Sequence, residues 1–182
     1  NILMGVYAGC GITTACNNVA LGEGAMCSAA TGAGENVAIG SYAGCSITGA
    51  KCNILIGCYA GKSLAAYGGQ RNIAIGLNSF KTSTVGYDNI AIGCGVMCDG
   101  NVSQGDNIGI GALALKSVTS GTGNVGIGKY QLYSVTSGRY NAALGGEEAL
   151  KNVTTGVCNI GIGTKAGCGI TTGGCNIAIG ID

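Results

Sequence analysis

Asn72–Gly76 reads NIAIG, and the same five letters return at Asn89–Gly93 and at Asn176–Gly180. Close variants begin at Asn1, Asn18, Asn36, Asn53, Asn107, Asn124, Asn141 and Asn159. The eleven starts are 17 to 19 residues apart, with a mean of about 17.5. A repeat of this period points to a solenoid, in which each unit buries its apolar surface only by stacking on the next. No linker, charge block or shift of composition interrupts it, so residues 1–182 read as a single repeat domain.

With the repeat Asn counted as position 0, positions 1 and 3 are aliphatic. Ile39, Ile56, Ile73, Ile75, Ile90, Ile92, Ile108, Ile110, Ile160, Ile162, Ile177 and Ile179 stand in these two rows. Alternation with a period of two predicts a short strand, and these rows are the expected buried core ladder. Position 4 is glycine in every copy, including Gly22, Gly40, Gly57, Gly76, Gly93, Gly111, Gly128, Gly145 and Gly163. A glycine closing every strand predicts a turn with positive φ or a close backbone approach. The remainder of each repeat, as in Ser117–Gly121 and Ser134–Gly138, carries one aliphatic column: Ile12, Ile47, Leu64, Val118, Val135, Val153 and Ile170. It reads as a second short strand. β-branched residues and frequent glycine disfavour helix throughout. The expected fold is therefore all-β: a parallel β-solenoid of ten to eleven coils, with about 17–18 residues and two short strands per coil. The Asn column is expected to form an amide ladder.

Position 2 then points away from the axis. It is small and apolar: Ala20, Ala38, Ala74, Ala91, Gly109, Gly126, Gly161 and Ala178 stand there, with Leu3, Leu55 and Ala143. A water-facing strand surface normally carries polar residues, so this strip is expected to pack against another chain. The alternative is a thin exposed strip of alanines.

Composition narrows the function. Glycine accounts for 37 of 182 residues, charged residues for 9%, and there is no proline, tryptophan or histidine. Without histidine there is no Ser-His-Asp or Cys-His triad and no His-containing zinc site. A net charge of +1 gives no electrostatic reason for a nucleic-acid partner. No apolar run reaches the roughly 18–20 residues of a membrane span, so membrane insertion is not expected. The first residue already lies inside a repeat, as expected of a processed product or a fragment. Gly57–Ser63 is one residue short of a phosphate-binding loop, and Gly121–Gly126 matches G-x-G-x-x-G only through glycines of the repeat. The carboxylates form no recurring pair. The expectation is a non-enzyme that needs no cofactor or metal.

Most of the eleven cysteines occupy recurrent columns. Cys10, Cys27, Cys45, Cys98 and Cys168 share position 9, Cys58 and Cys94 share position 5, and Cys158 and Cys175 precede the repeat Asn. Cys10–Cys27 and Cys158–Cys175 are candidate rung-to-rung disulfides, and Cys94–Cys98 and Cys45–Cys58 are candidate bridges across the turn. Oxidised cysteines imply an extracellular setting, whereas buried free thiols would act as small hydrophobes. Eleven is odd, and Cys168 is the residue expected to remain a thiol or to bond another chain.

Asn36–Gly40 (NVAIG), Asn124–Gly138 (NVGIGKYQLYSVTSG) and Asn159–Gly173 (NIGIGTKAGCGITTG) resemble repeats of phage tail-fibre and related virion or surface proteins. They are also similar to the head repeats of trimeric autotransporter adhesins. The resemblance implies a β-roll fibre, often trimeric, that projects from a virion or cell and binds a surface such as a receptor or glycan.

The expected function is structural: a fibre or filament module, extracellular or virion-borne, that assembles with itself through flat strips or by end-to-end stacking of exposed strand edges. The alternative is an ice-binding solenoid. Thr13, Thr48, Thr84, Thr119, Thr136, Thr154 and Thr171 lie near one column, interrupted by Ala30, Ala65 and Val102.

Overall fold

A computed structural model describes residues 1–29, 32–64 and 68–181. Among these residues there is no helix. Eleven short strands form one parallel sheet, ordered along the sheet as they are along the chain. The first is β1 (Ile2–Met4) and the last β11 (Ile177–Ile179), and most are three residues long. β5 (Ile73–Ile75) pairs with β6 (Ile90–Ile92) in full register, with Ile73 opposite Ile90, Ala74 opposite Ala91 and Ile75 opposite Ile92. The molecule is a β-solenoid of about ten turns. At the spacing of neighbouring strands it is roughly 48 Å long.

The two faces of the sheet are the reverse of the sequence expectation. Ala20, Ala38, Leu55, Ala74, Ala91 and Ala143, all at position 2, are fully buried. Gly109, Gly126 and Gly161 in the same column are closed in by interior side chains. Positions 1 and 3 face outward, so the isoleucines from Ile39 to Ile179 are not the core ladder, and the small residues from Ala20 to Ala178 are not a surface strip. The buried Asn explains the inversion. Asn36, Asn53, Asn89, Asn107, Asn124 and Asn159 have no accessible surface. In a strand, positions 0 and 2 share a face. Once the amide lies inside, position 2 must lie inside with it.

The amide is affordable there because it is fully paired. From Asn18 to Asn176, each repeat Asn donates both its backbone N–H and its Nδ2 to the Oδ1 of the Asn one coil earlier. For Asn53 and Asn36 these distances are 3.0 and 2.9 Å. Nδ2 also donates to a carbonyl near the end of its own coil, such as Gly121 O from Asn107 at 2.9 Å and Gly138 O from Asn124 at 2.8 Å. A buried polar group stabilises a fold only when such partners exist. The expected amide ladder is thus continuous along the solenoid.

Facing position 2 across the interior is a second column that includes Met26, Phe80, Met97, Leu115, Leu132 and Leu150, all fully buried. The aliphatic column of Ile47, Leu64, Val118, Val135 and Val153 completes the core.

The second part of each repeat is not a strand. Ser117–Gly121 and Ser134–Gly138 run through bends and turns, where neighbouring coils are joined by backbone hydrogen bonds such as Thr119 N to Thr136 O at 3.0 Å and Thr136 N to Thr154 O at 2.9 Å, with isolated bridges beside them such as Arg139 with Val157. The cause is left-handed backbone. Asn17, Glu35, Cys52, Arg71, Asp88, Tyr140, Cys158 and Cys175, each just before a repeat Asn, have φ between 55° and 60° or close to it. Such residues break an extended run. The glycine column is more constrained still. Gly93 has φ 132°, and a Cβ there would stand 2.9 Å from the backbone of Gly111 in the next coil.

Candidate functional site

The outward face of the sheet is aliphatic over its whole length. Position 1 carries Ile2, Ile54, Ile73, Ile90, Ile108, Ile160 and Ile177, and position 3 carries Ile39, Ile56, Ile75, Ile92, Ile110, Ile127, Ile162 and Ile179, with Val, Leu, Met or Ala in the remaining coils. Neither row contains a charged residue. In mid-solenoid, each side chain is partly covered by its own neighbours above and below, yet Ile54 keeps 39% and Ile127 38% of its surface. Two rows over ten rungs give a strip on the order of 500 Å², which lies at the upper end for the largest apolar patch of a monomer.

Beside the glycine turn runs a polar edge. Tyr42 stacks on Tyr59 of the next coil, with centroids 5.5 Å apart. Lys62 and Lys81 lie 5.2 and 5.7 Å from the centre of the Tyr59 ring. Farther along, Lys116 makes a 2.8 Å ion pair with Asp99 and donates to Tyr133 Oη at 2.9 Å. The Asp99 contact, with help from Tyr133, holds the Lys116 ammonium above its usual pKa. The same contact holds Asp99 below the usual carboxylate range. Arg71 and Asp88, one coil apart, form a bidentate pair with two 2.7 Å bonds. These pairs are exposed and tie neighbouring coils together weakly. They enclose no cleft.

The cysteines do not pair as their columns suggested, and none is in a disulfide. Cys10 donates to the carbonyl of Cys27 at 3.2 Å. Cys158 and Cys175 are exposed in left-handed backbone. Cys98 does not bridge to Cys94 but donates to Asp99 Oδ1 at 3.1 Å. Burial first, and then the Asp99 carboxylate, push the Cys98 thiol up to about 12. Cys45 meets Cys27 rather than Cys58, at Sγ–Sγ 3.3 Å. For the two bridges expected across the turn, Cys94–Cys98 and Cys45–Cys58, the reason is that side chains in a solenoid stack column on column, so a thiol at position 9 reaches position 9 of the next coil rather than position 5. Cys168 is half-buried, and its carbonyl accepts from Asn152 Nδ2 at 2.9 Å.

Three threonine hydroxyls of the column bond the backbone of the next coil, whereas Thr84 donates to Asn101 Oδ1 at 3.0 Å. Thr119 donates to Thr136 O at 3.2 Å, Thr136 to Thr154 O at 3.3 Å and Thr154 to Thr171 O at 3.4 Å. Ala30 and Ala65, which interrupt this column, lie outside the described residues. No helix among the described residues is long and apolar enough to cross a membrane.

No protein-family model, curated protein or solved structure matches the chain. The aliphatic face is therefore the feature from which a function must be argued. The sequence reading missed it because it assigned these rows to the core. The signal that could have exposed it is the polar Asn two residues before each position-2 residue, on the same strand face.

Proposed function

We propose that the chain is a structural module of a fibre or filament, assembled side by side from copies of itself through the aliphatic face. The observation that carries this reading is the continuous exposure of two uncharged aliphatic rows over eleven strands. Burial of apolar surface is worth about 25 cal/mol per Å², so a strip of this size favours association. A second copy suits it better than an unrelated partner. Both copies carry the same rung spacing, so side chains of one can seat between side chains of the other along the whole length, as a self-complementary interface requires. An extracellular or virion-borne setting, and adhesion to a receptor or glycan at exposed turns, belong to the same reading and rest on the repeat resemblance. End-to-end stacking is compatible with it, because the last rung leaves strand edges that another coil can pair.

The test is sedimentation velocity with negative-stain imaging. Wild type should form elongated multimers. The double substitution Ile75→Lys and Ile92→Lys should dissociate them and leave the circular-dichroism spectrum unchanged. Wild type that stays monomeric at every concentration would overturn the reading. The ice-binding alternative has less support, because three threonine hydroxyls of the column are engaged with carbonyls of the next coil. It is separated by measuring thermal hysteresis.

A further inference from the structure

The position-9 column begins with three cysteines on consecutive coils, Cys10, Cys27 and Cys45. Only the last two bring their sulfurs together, at 3.3 Å. The backbone fixes that approach from both sides. Met26 N donates to Ala43 O at 3.0 Å, and Ser28 N donates to Cys45 O at 2.8 Å, so coils two and three are locked in register around the thiols. Cys27 is half-buried and Cys45 buried. Cys10, by contrast, aims its sulfur at the Cys27 carbonyl.

From this geometry we infer that Cys27 and Cys45 are an oxidisable pair that forms a disulfide between adjacent coils on exchange with a small soluble disulfide such as oxidised glutathione. The inference is independent of the lateral assembly proposed above. Cys27, the more accessible thiol, reacts first. It loses its proton, attacks one sulfur of the oxidant and releases one reduced thiol, leaving a mixed disulfide. Cys45 then loses its proton, attacks the Cys27 sulfur and releases the second reduced thiol. One small disulfide is reduced to two thiols, and the two cysteines are oxidised by two electrons. Burial and the neighbouring Cys27 hold the Cys45 thiol above its usual pKa, so the second step quickens as the pH rises. Burial also shields the finished bond from reductants. The bond would lock coil two covalently onto coil three.

Glu35 and Lys51 make the test direct. Cleavage after Glu and after Lys or Arg releases residues 24–35, with Cys27 as the sole thiol, and residues 36–51, with Cys45 as the sole thiol. The folded full chain is treated with oxidised glutathione, alkylated without reduction, digested and mapped by mass spectrometry. A urea-unfolded sample treated identically is the reference. The expected result is a 24–35/36–51 linked peptide as the dominant product, at least tenfold enriched over the unfolded sample. In Cys45→Ser, peptide 24–35 should instead retain glutathione. Alkylation or separate glutathionylation of both cysteines in wild type, or linkage of 24–35 to the Cys10 and Cys16 peptide 1–23, overturns the inference. The wild-type map decides the matter even if the variant fails to fold.

Discussion

Leu55 and Gly61 fill one slot of the interior between them: a Cβ on Gly61 would stand 2.5 Å from Leu55 Cδ2. The same trade recurs along the solenoid. Leu3 covers Gly9, with 2.8 Å to a Cβ there. Where position 2 is small, as at Ala20, Ala74 and Ala91, the facing column is large, with Met26, Phe80 and Met97. In these coils a small residue in one column faces a large one in the other, whereas Ala38 with Gly44 and Gly161 with Gly167 are small in both, and side chains of neighbouring coils such as Leu55 and Leu150 fill the space. Leu55→Ala should therefore open a cavity and cost about 3 kcal/mol, and Gly61→Met should clash with Leu55 and cost about 2 kcal/mol. The double substitution should recover much of either loss, because Met26 and Met97 occupy that column with φ near 50°. Guanidinium melts of the four proteins give the coupling energy, and simple additivity would refute the pairing.

The Asn ladder predicts a large penalty for a chemically small change. Asn89 accepts at Oδ1 from Asn107 N and Nδ2, both at 3.1 Å, and donates to Asn72 Oδ1, also at 3.1 Å. Asn89→Asp keeps the shape but places a carboxyl oxygen against Asn72 Oδ1 and withdraws a donor from Gln104 O. A loss of about 3 kcal/mol is expected in chemical denaturation at neutral pH, since the groups left behind are buried. A loss below about 1 kcal/mol would show that the ladder contributes little.

Glycine substitutions should divide by position. Gly93→Ala puts a Cβ against the next coil at φ 132° and should cost about 2 kcal/mol. Gly169→Ala meets nothing within 4 Å and should be neutral within about 0.5 kcal/mol. Comparison of the two melting curves checks both statements.

Alkaline pH should weaken the stack near Cys98. Its folded-state value of about 12 lies above the ordinary thiol value of 9.0. The stability contributed by the neutral thiol is thus fully present below about pH 9 and is lost as pH rises toward 12. Cys98→Ala should flatten the decline between these limits. Asp99→Asn should reduce it, because it removes the carboxylate that receives the thiol. Unfolding midpoints measured across that range, with identical slopes for wild type and both variants, would refute the assignment.

Periodicity made the coil and its register legible in the sequence, because NIAIG recurs without interruption and each copy pairs with the next as the spacing implies. The glycine column was legible for the same reason. Which way the strand faces was not. Three residues alternate equally well with either face inward, and hydrophobicity alone favours burying Ile75 over Ala74. The deciding residue is Asn72, whose amide is paired by amides directly above and below it as well as by Gly86 O of its own coil, and the inter-coil part of that pairing is a property of the stack rather than of one repeat. The cysteines failed for a related reason. Sequence spacing places Cys45 near both Cys27 and Cys58, and only the stacking of columns tells the two apart.

The amide ladder also makes the solenoid a vector. Every repeat Asn sends its two N–H groups toward the amino-terminal neighbour and offers its oxygen to the carboxy-terminal one. The two sides of every coil are therefore chemically unlike, donors toward the amino-terminal neighbour and an acceptor toward the carboxy-terminal one. Whatever coil is added at either end, from the same polypeptide or another, must point the same way, because a head-to-head junction would set oxygen against oxygen or N–H against N–H. The polarity of the stack is thus written into a single column of side chains, and any coil-on-coil addition would have to respect it.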